Sequence, residues 1–433
     1  MNRAILKLAI PNIISNITIP LLGLVDMILM GHLGSAIYIG AISLGGTIFS
    51  VLYSFFSFLR AGTTGFTAQS YGREDKIEIC YSLFRSILIA ILASILIISL
   101  RNPIALISLR LLQGSEEIKE LAITYYHIRI WAAPANMLLY CFNGWFVGMQ
   151  NTKFPMITAI TINIFNIIFS AFFVLAMHLD VEGVALGTVL AQYCGLALTL
   201  TLFLIRYRNI LMPLNRRTLL DLSKIKRFFH VNIDLMIRSF LLIITIAFFT
   251  NQSATLGDNI LAVNMILIQF FYIFSYFTDG FAYAGEALVG RYTGASDIDN
   301  IKKVIKYLFL WGITISLPFT LIYTLFPDVI VRLISNDPTI TEAVKPYHIY
   351  MIIMPLATFA AFLWDGVYIG ATASRAIRNT MIISTILVFL PCWYYLMPMF
   401  GNHGLWTSFF AFMITRGISM TLMAKKNIIT IKN

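Results

Sequence analysis

Apolar runs of roughly 20 residues recur along the whole chain, the length a helix needs to cross ~30 Å of hydrocarbon. Of the 433 residues, 59% are hydrophobic and only 12% are charged. Soluble domains carry about 25% charge, so this chain cannot clothe a water-facing surface of its size. In lipid every backbone polar group must be satisfied internally, which leaves helices or closed barrels. No alternating ten-residue pattern appears, which excludes a transmembrane barrel. The chain reads as an all-α membrane protein with about twelve spans. They are expected near residues 8–30, 37–70, 82–100, 121–148, 155–177 and 183–205, then 228–251, 258–290, 304–326, 345–370, 379–400 and 403–424.

The formal net charge of +11 does not indicate a nucleic-acid partner, because the basic residues lie between spans. Arg73, Lys76, Lys153, Arg206, Arg208, Arg216, Arg217, Lys224, Lys226, Arg227, Lys302, Lys303, Lys306, Arg375, Arg378, Lys425 and Lys426 fall in loops of one parity or at the C-terminus. The loops Gly31–Ala36, His178–Glu182, Gln252–Asp258 and Gly401–His403 contain no Lys or Arg. The positive-inside rule then places both termini and the central loop in the cytoplasm, in a cytoplasmic (inner) membrane. The N-terminal Met-Asn-Arg-Ala-Ile-Leu-Lys resembles a signal-peptide start. The apolar run continues past Met30 with no cleavage site, so a retained first helix is expected. Cys80, Cys141, Cys194 and Cys392 lie in or beside apolar segments without metal-ligand spacing, so neither a disulfide framework nor a metal site is indicated.

The halves repeat. Tyr126-His127-Ile128, Pro134, Asn143-Gly144 and Gly148 match Tyr347-His348-Ile349, Pro355, Asp365-Gly366 and Gly370. Gly72-Arg73-Glu74-Asp75 aligns with Gly294-Ala295-Ser296-Asp297, and Glu182-Gly183-Val184 with His403-Gly404-Leu405. Six spans repeated in the same orientation give two six-helix lobes related by an axis along the membrane normal. The expected division is an N-lobe at 1–205, a cytoplasmic linker at 206–227 and a C-lobe at 228–433. Such repeats put a substrate site near the bilayer midplane and let the lobes rock.

Asp26 lies inside the first apolar run with no basic residue nearby. A carboxylate at that depth costs a few kcal/mol and so normally has a task; reversible protonation or cation binding fits. In the fifth span Asn163, Asn166 and Ser170 follow i, i+3, i+7 and share a helix face, and Thr188 and Gln192 share one in the sixth. Alone, each stripe reads as helix–helix glue, worth about 0.6–2 kcal/mol per contact. Beside an intramembrane Asp they become its hydrogen-bond partners. Burial raises a carboxyl pKa while Asn and Thr donors lower it, so the group can load a proton on one side and lose it on the other. Pro11 and Pro20 in the same helix remove backbone bonds and mark either a hinge or a static kink.

The second half has a different polar set. Asp234 and Arg238, i and i+4, are expected to form an ion pair. Asp279 and Glu286 stand i, i+7 on the eighth span, and Asp365 lies in the tenth. Two readings stand: a structural network neutralising Arg238, or a second functional site. Arg60, Arg129 and Arg416 lie nearer span ends, where snorkelling is expected. The chain has no Gly-x4-Gly-Lys-Ser/Thr, so it does not hydrolyse ATP itself. It has no His-Glu-x-x-His or Gly-x-Ser-x-Gly either, so no catalytic residues are assigned and no enzyme is expected.

These motifs resemble one family. Pro-Leu-Leu-Gly-Leu-Val-Asp26-x7-Leu-Gly34, Gln69-x-x-Gly72, Asn163-x-x-Asn166 and Glu182-Gly183-x-Ala185-x-x-Thr188 resemble the multidrug and toxic compound extrusion (MATE) family. Arg238-Ser239, Asp279-Gly280-Phe281-Ala282, Glu286-Ala287-Leu288-Val289-Gly290 and Trp364-Asp365-Gly366-x3-Gly370-Ala371-Thr372 look like its DinF branch. The resemblance implies a V-shaped pair of six-helix bundles exporting organic compounds in exchange for protons or sodium. It makes Asp26 the coupling carboxylate, with Asn166 and Thr188 as polar partners and Asn163 beside them. Many members carry Asp where this chain has Ser170, and the missing charge favours a proton over sodium. The reading is an antiporter for bulky cationic or amphipathic small molecules, working as a monomer in the bilayer without cofactor or nucleic acid. The alternative is a flippase for a lipid-linked saccharide, which for anionic headgroups calls for several deep Arg residues where only Arg238 is expected.

Overall fold

The computed structural model describes residues 1–31, 36–111, 115–213, 215–219, 221–335 and 337–429, with the side chains of 19, 21–22, 24–31, 36, 111, 216 and 217 outside the description. The described residues are almost entirely helical. Ten helices are long and apolar enough to cross a membrane: α2 (Ile37–Gly72), α3 (Lys76–Ser99), α5 (Lys153–Ala176), α6 (Val181–Ile210), α7 (Leu222–Thr255), α8 (Asp258–Gly294), α9 (Ile298–Leu325), α10 (Pro338–Gly370), α11 (Ser374–Phe400) and α12 (Asn402–Ile429). Two more lie where spans are expected. They are α1 (Asn2–Gly31) and α4 (116–148), in which a 3-10 turn at Ile130–Ala132 joins Glu116–Arg129 to Ala133–Gly148. A shorter helix, Arg101–Leu111, precedes α4.

Large apolar side chains such as Leu92, Ile95 and Leu96 on α3 and Leu317, Leu321 and Leu325 on α9 are exposed. That would be a liability in water and is the expected outer surface in lipid.

The chain divides into two compact units, one of residues 14–227 and one of 228–433 together with 1–13. The expected N-lobe began at residue 1, so its first 13 residues are a correction. Gly280 of α8 explains part of it: a Cβ there would lie 2.4 Å from Ile13 Cγ1 and 3.0 Å from the Ala9 carbonyl oxygen, so only glycine admits this stretch of α1 so closely. The first unit is cored by Phe49, Tyr125, Tyr126 and Val184, and by Trp145, Phe146 and Phe203. The second is cored by Phe249, Phe271, Trp406 and Phe409.

The repeat is visible in the backbone. Left-handed residues recur at matching turns: Glu74 (φ 57°) and Ser296 (φ 56°), Gln150 (φ 61°) and Thr372 (φ 52°), His178 (φ 55°) and Gly401 (φ 56°). The residue after the first pair caps the next helix in each half. Asp75 accepts from the Glu78 N–H at 2.9 Å, and Asp297 from the Asn300 N–H at 3.0 Å. A Cβ on Gly144 would sit 2.3 Å from the Arg60 carbonyl oxygen, and one on Gly366 would sit 2.1 Å from that of Ala282. The same helix pair therefore meets backbone to backbone in both units.

Candidate functional site

In the first unit Asn166, Ser170 and Thr188 come together. Asn166 Nδ2 donates to Thr188 Oγ1 at 3.0 Å and to Ser170 Oγ at 3.4 Å, and Thr188 Oγ1 donates to the Val184 carbonyl at 3.0 Å. All three residues are buried. Asn166 Oδ1 is buried and has no hydrogen-bond partner among the described residues. Such an orphan acceptor costs about 1–3 kcal/mol and normally implies a missing donor.

Gly187, one residue before Thr188, makes the cluster possible. A Cβ there would fall 2.5 Å from Ser170 Oγ and 2.6 Å from the Ser170 backbone nitrogen, so α6 can press against α5 only at a glycine. Just past Ser170, α5 widens into a π-helical turn over Phe172–Ala176, a feature frequent at functional sites. Asn163 does not join the cluster: it is half-buried and donates to the Ala159 carbonyl at 2.9 Å. Asp26 belongs to the same unit, and its side chain lies outside the described residues. Pro11 is buried and Pro20 exposed within the uninterrupted helix α1.

The second unit concentrates charge. Arg238 on α7 and Arg416 on α12 both bind Oδ2 of Asp365 on α10, Arg416 at 2.7 Å. Asp365 and Arg416 are buried, Arg416 at 1% exposure. The expectation that Arg416 snorkels from a span end is therefore wrong. It lies near the middle of a 28-residue helix, turned inward onto Asp365. Asp279 and Glu286 on α8 lie within electrostatic reach of Arg238. Asp365 Oδ1 and both Nε atoms are buried without partners among the described residues.

The expected Asp234–Arg238 ion pair does not form. Asp234 is taken by two residues of α11, Arg378 Nη1 at 2.6 Å and Ser374 Oγ at 2.8 Å. Residues i and i+4 share a face, but neighbouring helices here supplied each partner with better geometry. Arg378 and Ser374 carried no signal beyond their place at the head of a span. Among the described residues no group of three or more His, Cys, Asp or Glu could hold a metal ion.

Two six-helix repeats with buried polar clusters in their spans define a multi-pass membrane carrier. A family model described as MatE matches it twice, over residues 11–172 and 234–394, and the chain belongs to this family, the multidrug and toxic compound extrusion transporters. It is 34% identical over 428 residues to DNA damage-inducible protein F of Escherichia coli K12, covering 98% of this chain and 92% of that protein. It is 23% identical to the probable multidrug resistance protein NorM of Thermotoga maritima, covering 96% and 90%. In fold it is similar to the Vibrio cholerae MATE transporter VcmN in its bent form, with a TM-score of 0.86, 18% identity, and 98% and 96% of the two chains covered. The protein is thus a transporter and not an enzyme.

Proposed function

We propose that the protein is a secondary active antiporter that exports bulky cationic or amphipathic organic compounds in exchange for protons, coupled through Asp26. The observation that carries this reading is the acceptor Asn166 Oδ1, without a partner among the described residues, beside Ser170 and Thr188, in the unit that contains Asp26. A protonated carboxyl supplies the missing donor, whereas an ionised one takes hydrogen bonds instead. The two states of Asp26 then bond differently to α5 and α6, which is what coupling requires. With Ser170 in place of a second carboxylate, the site has fewer anionic ligands for a sodium ion, so the exchanged ion is a proton. A relative named as a probable multidrug resistance protein supports export of foreign compounds.

The protein works as a monomer in the cytoplasmic membrane, with both termini inside, and needs a small-molecule substrate and no cofactor. A flippase for a lipid-linked saccharide is less well supported. A second deep guanidinium, Arg416, joins Arg238, yet both are engaged by Asp365, with Asp279 and Glu286 close by. An anionic headgroup would have to displace those carboxylates.

The test is ethidium efflux from proteoliposomes under an imposed pH gradient or an imposed sodium gradient. Efflux driven by the pH gradient, and nearly indifferent to sodium at symmetric pH, is the expected result. Equal drive by sodium at fixed pH would overturn the proton reading.

A further inference from the structure

The linker is held by the first unit at several of its described residues. Arg85 of α3, only 4% exposed, reaches across to it, with Nη2 donating to the Thr218 carbonyl at 3.0 Å and Nε to the Leu219 carbonyl at 3.4 Å. These are the last carbonyls of the one-turn helix Arg216–Leu219, which a helix end otherwise leaves unsatisfied. Glu78, two turns earlier on α3, binds Arg85 Nη1 at 2.5 Å and Lys224 of the linker at 2.7 Å. Tyr81 Oη accepts from the Asn215 N–H at 3.0 Å. Arg227 lies over the Phe66 ring of α2, 5.8 Å from its centroid. Asp221 caps the start of α7 through the Ser223 N–H at 2.9 Å.

The chain passes between the units twice, between Ile13 and Ile14 in α1 and between Arg227 and Phe228 in α7, the second just past the last of these tethers. The repeat offers a control. Glu78 and Arg85 stand three and ten residues after the cap Asp75, and the same places after Asp297 hold Asn300 and Tyr307. The second unit folds without the clamp, so the clamp is not a requirement of the repeat.

We infer that Arg85 and Glu78 strap the linker, through residues 218, 219 and 224, to the first unit, so that this stretch moves with that unit as one body and does not act as a flexible loop. Arg85 is thus a positioning residue for the transport cycle: its guanidinium is taken up by Glu78 and the linker carbonyls.

The test uses full-length protein in nanodiscs with the four cysteines replaced by alanine and spin labels at L222C and R73C, both exposed positions. Pulsed EPR should give one narrow distance distribution at acidic and alkaline pH, with or without ethidium. Arg85→Ala should broaden it, Arg85→Lys should broaden it less, and the maximal efflux rate of Arg85→Ala should fall several-fold at unchanged KM. If Arg85→Ala does not fold, Glu78→Gln supplies the graded loosening. A broad or two-peaked wild-type distribution, or one that loosening the clamp leaves narrow, overturns the inference. The distances are read without transport, so failure of the export reading would not be mistaken for failure of the strap.

Discussion

The two units share a backbone plan and differ in their buried chemistry. Asn143 and Asp365 occupy equivalent places, each just before the glycine that lets its helix meet its neighbour. Thr64 and Glu286 are likewise equivalent, four residues past the carbonyls of Arg60 and Ala282 that receive those glycines. The first unit thus uses neutral groups where the second uses carboxylates. Its cluster, Asn166–Ser170–Thr188, contains no charge, whereas the second unit binds two guanidiniums to one carboxylate. A neutral hydrogen-bonding cluster can adapt at low cost to a partner that changes protonation state. A dense ionic knot is held in place by the cost of separating buried charges. On the proposed reading, one fold serves a responsive half and a locked half.

The largest expected effect falls on the responsive half. Asp26→Asn mimics only the neutral carboxyl, so pH-gradient-driven ethidium efflux should be lost while the detergent melting temperature stays near wild type. Full efflux by the mutant would remove Asp26 from the mechanism and leave the first unit without its assigned role.

Equivalent residues in the two units should then respond unequally. Asp365→Ala strands the buried Arg416 and the half-buried Arg238 and should cost about 3–5 kcal/mol. Asn143→Ala removes a residue whose Oδ1 has no partner among the described residues, and it should cost about 1 kcal/mol or less. Thermal unfolding in detergent measures both. Equal losses would mean that the ionic knot carries no special stability.

A smaller effect tests the packing behind the neutral cluster. Gly187→Ala drives a methyl into Ser170, and overpacking of this kind costs about 1–3 kcal/mol. It should also shift the pH dependence of efflux by displacing Thr188 from Asn166. An unchanged pH profile would show that the cluster does not tune Asp26.

Much of the architecture was legible without coordinates. Lipid penalises every exposed backbone group, so the helical spans and their lengths follow from composition and order alone. Helical period put Asn166 and Ser170 on one face, and the structure joins them to Thr188. The same period failed for Asn163, which turns to its own backbone, and for Asp234 and Arg238. Spacing says which residues share a face, and it is silent on what the face meets.

What the sequence determined by itself is the class of protein: helices across a bilayer, in two parallel repeats, with polar groups too costly to be incidental. What only the tertiary structure decided is partnership. Arg238 chose Asp365 over Asp234, Arg416 proved to be buried, the first 13 residues joined the second unit, and the linker was clamped by Arg85. Each of these depends on which helices pack and how closely their backbones approach. Glycines at Gly187, Gly280 and Gly366 set that approach, and a missing Cβ gives no sign in the chain of which neighbour will fill its place.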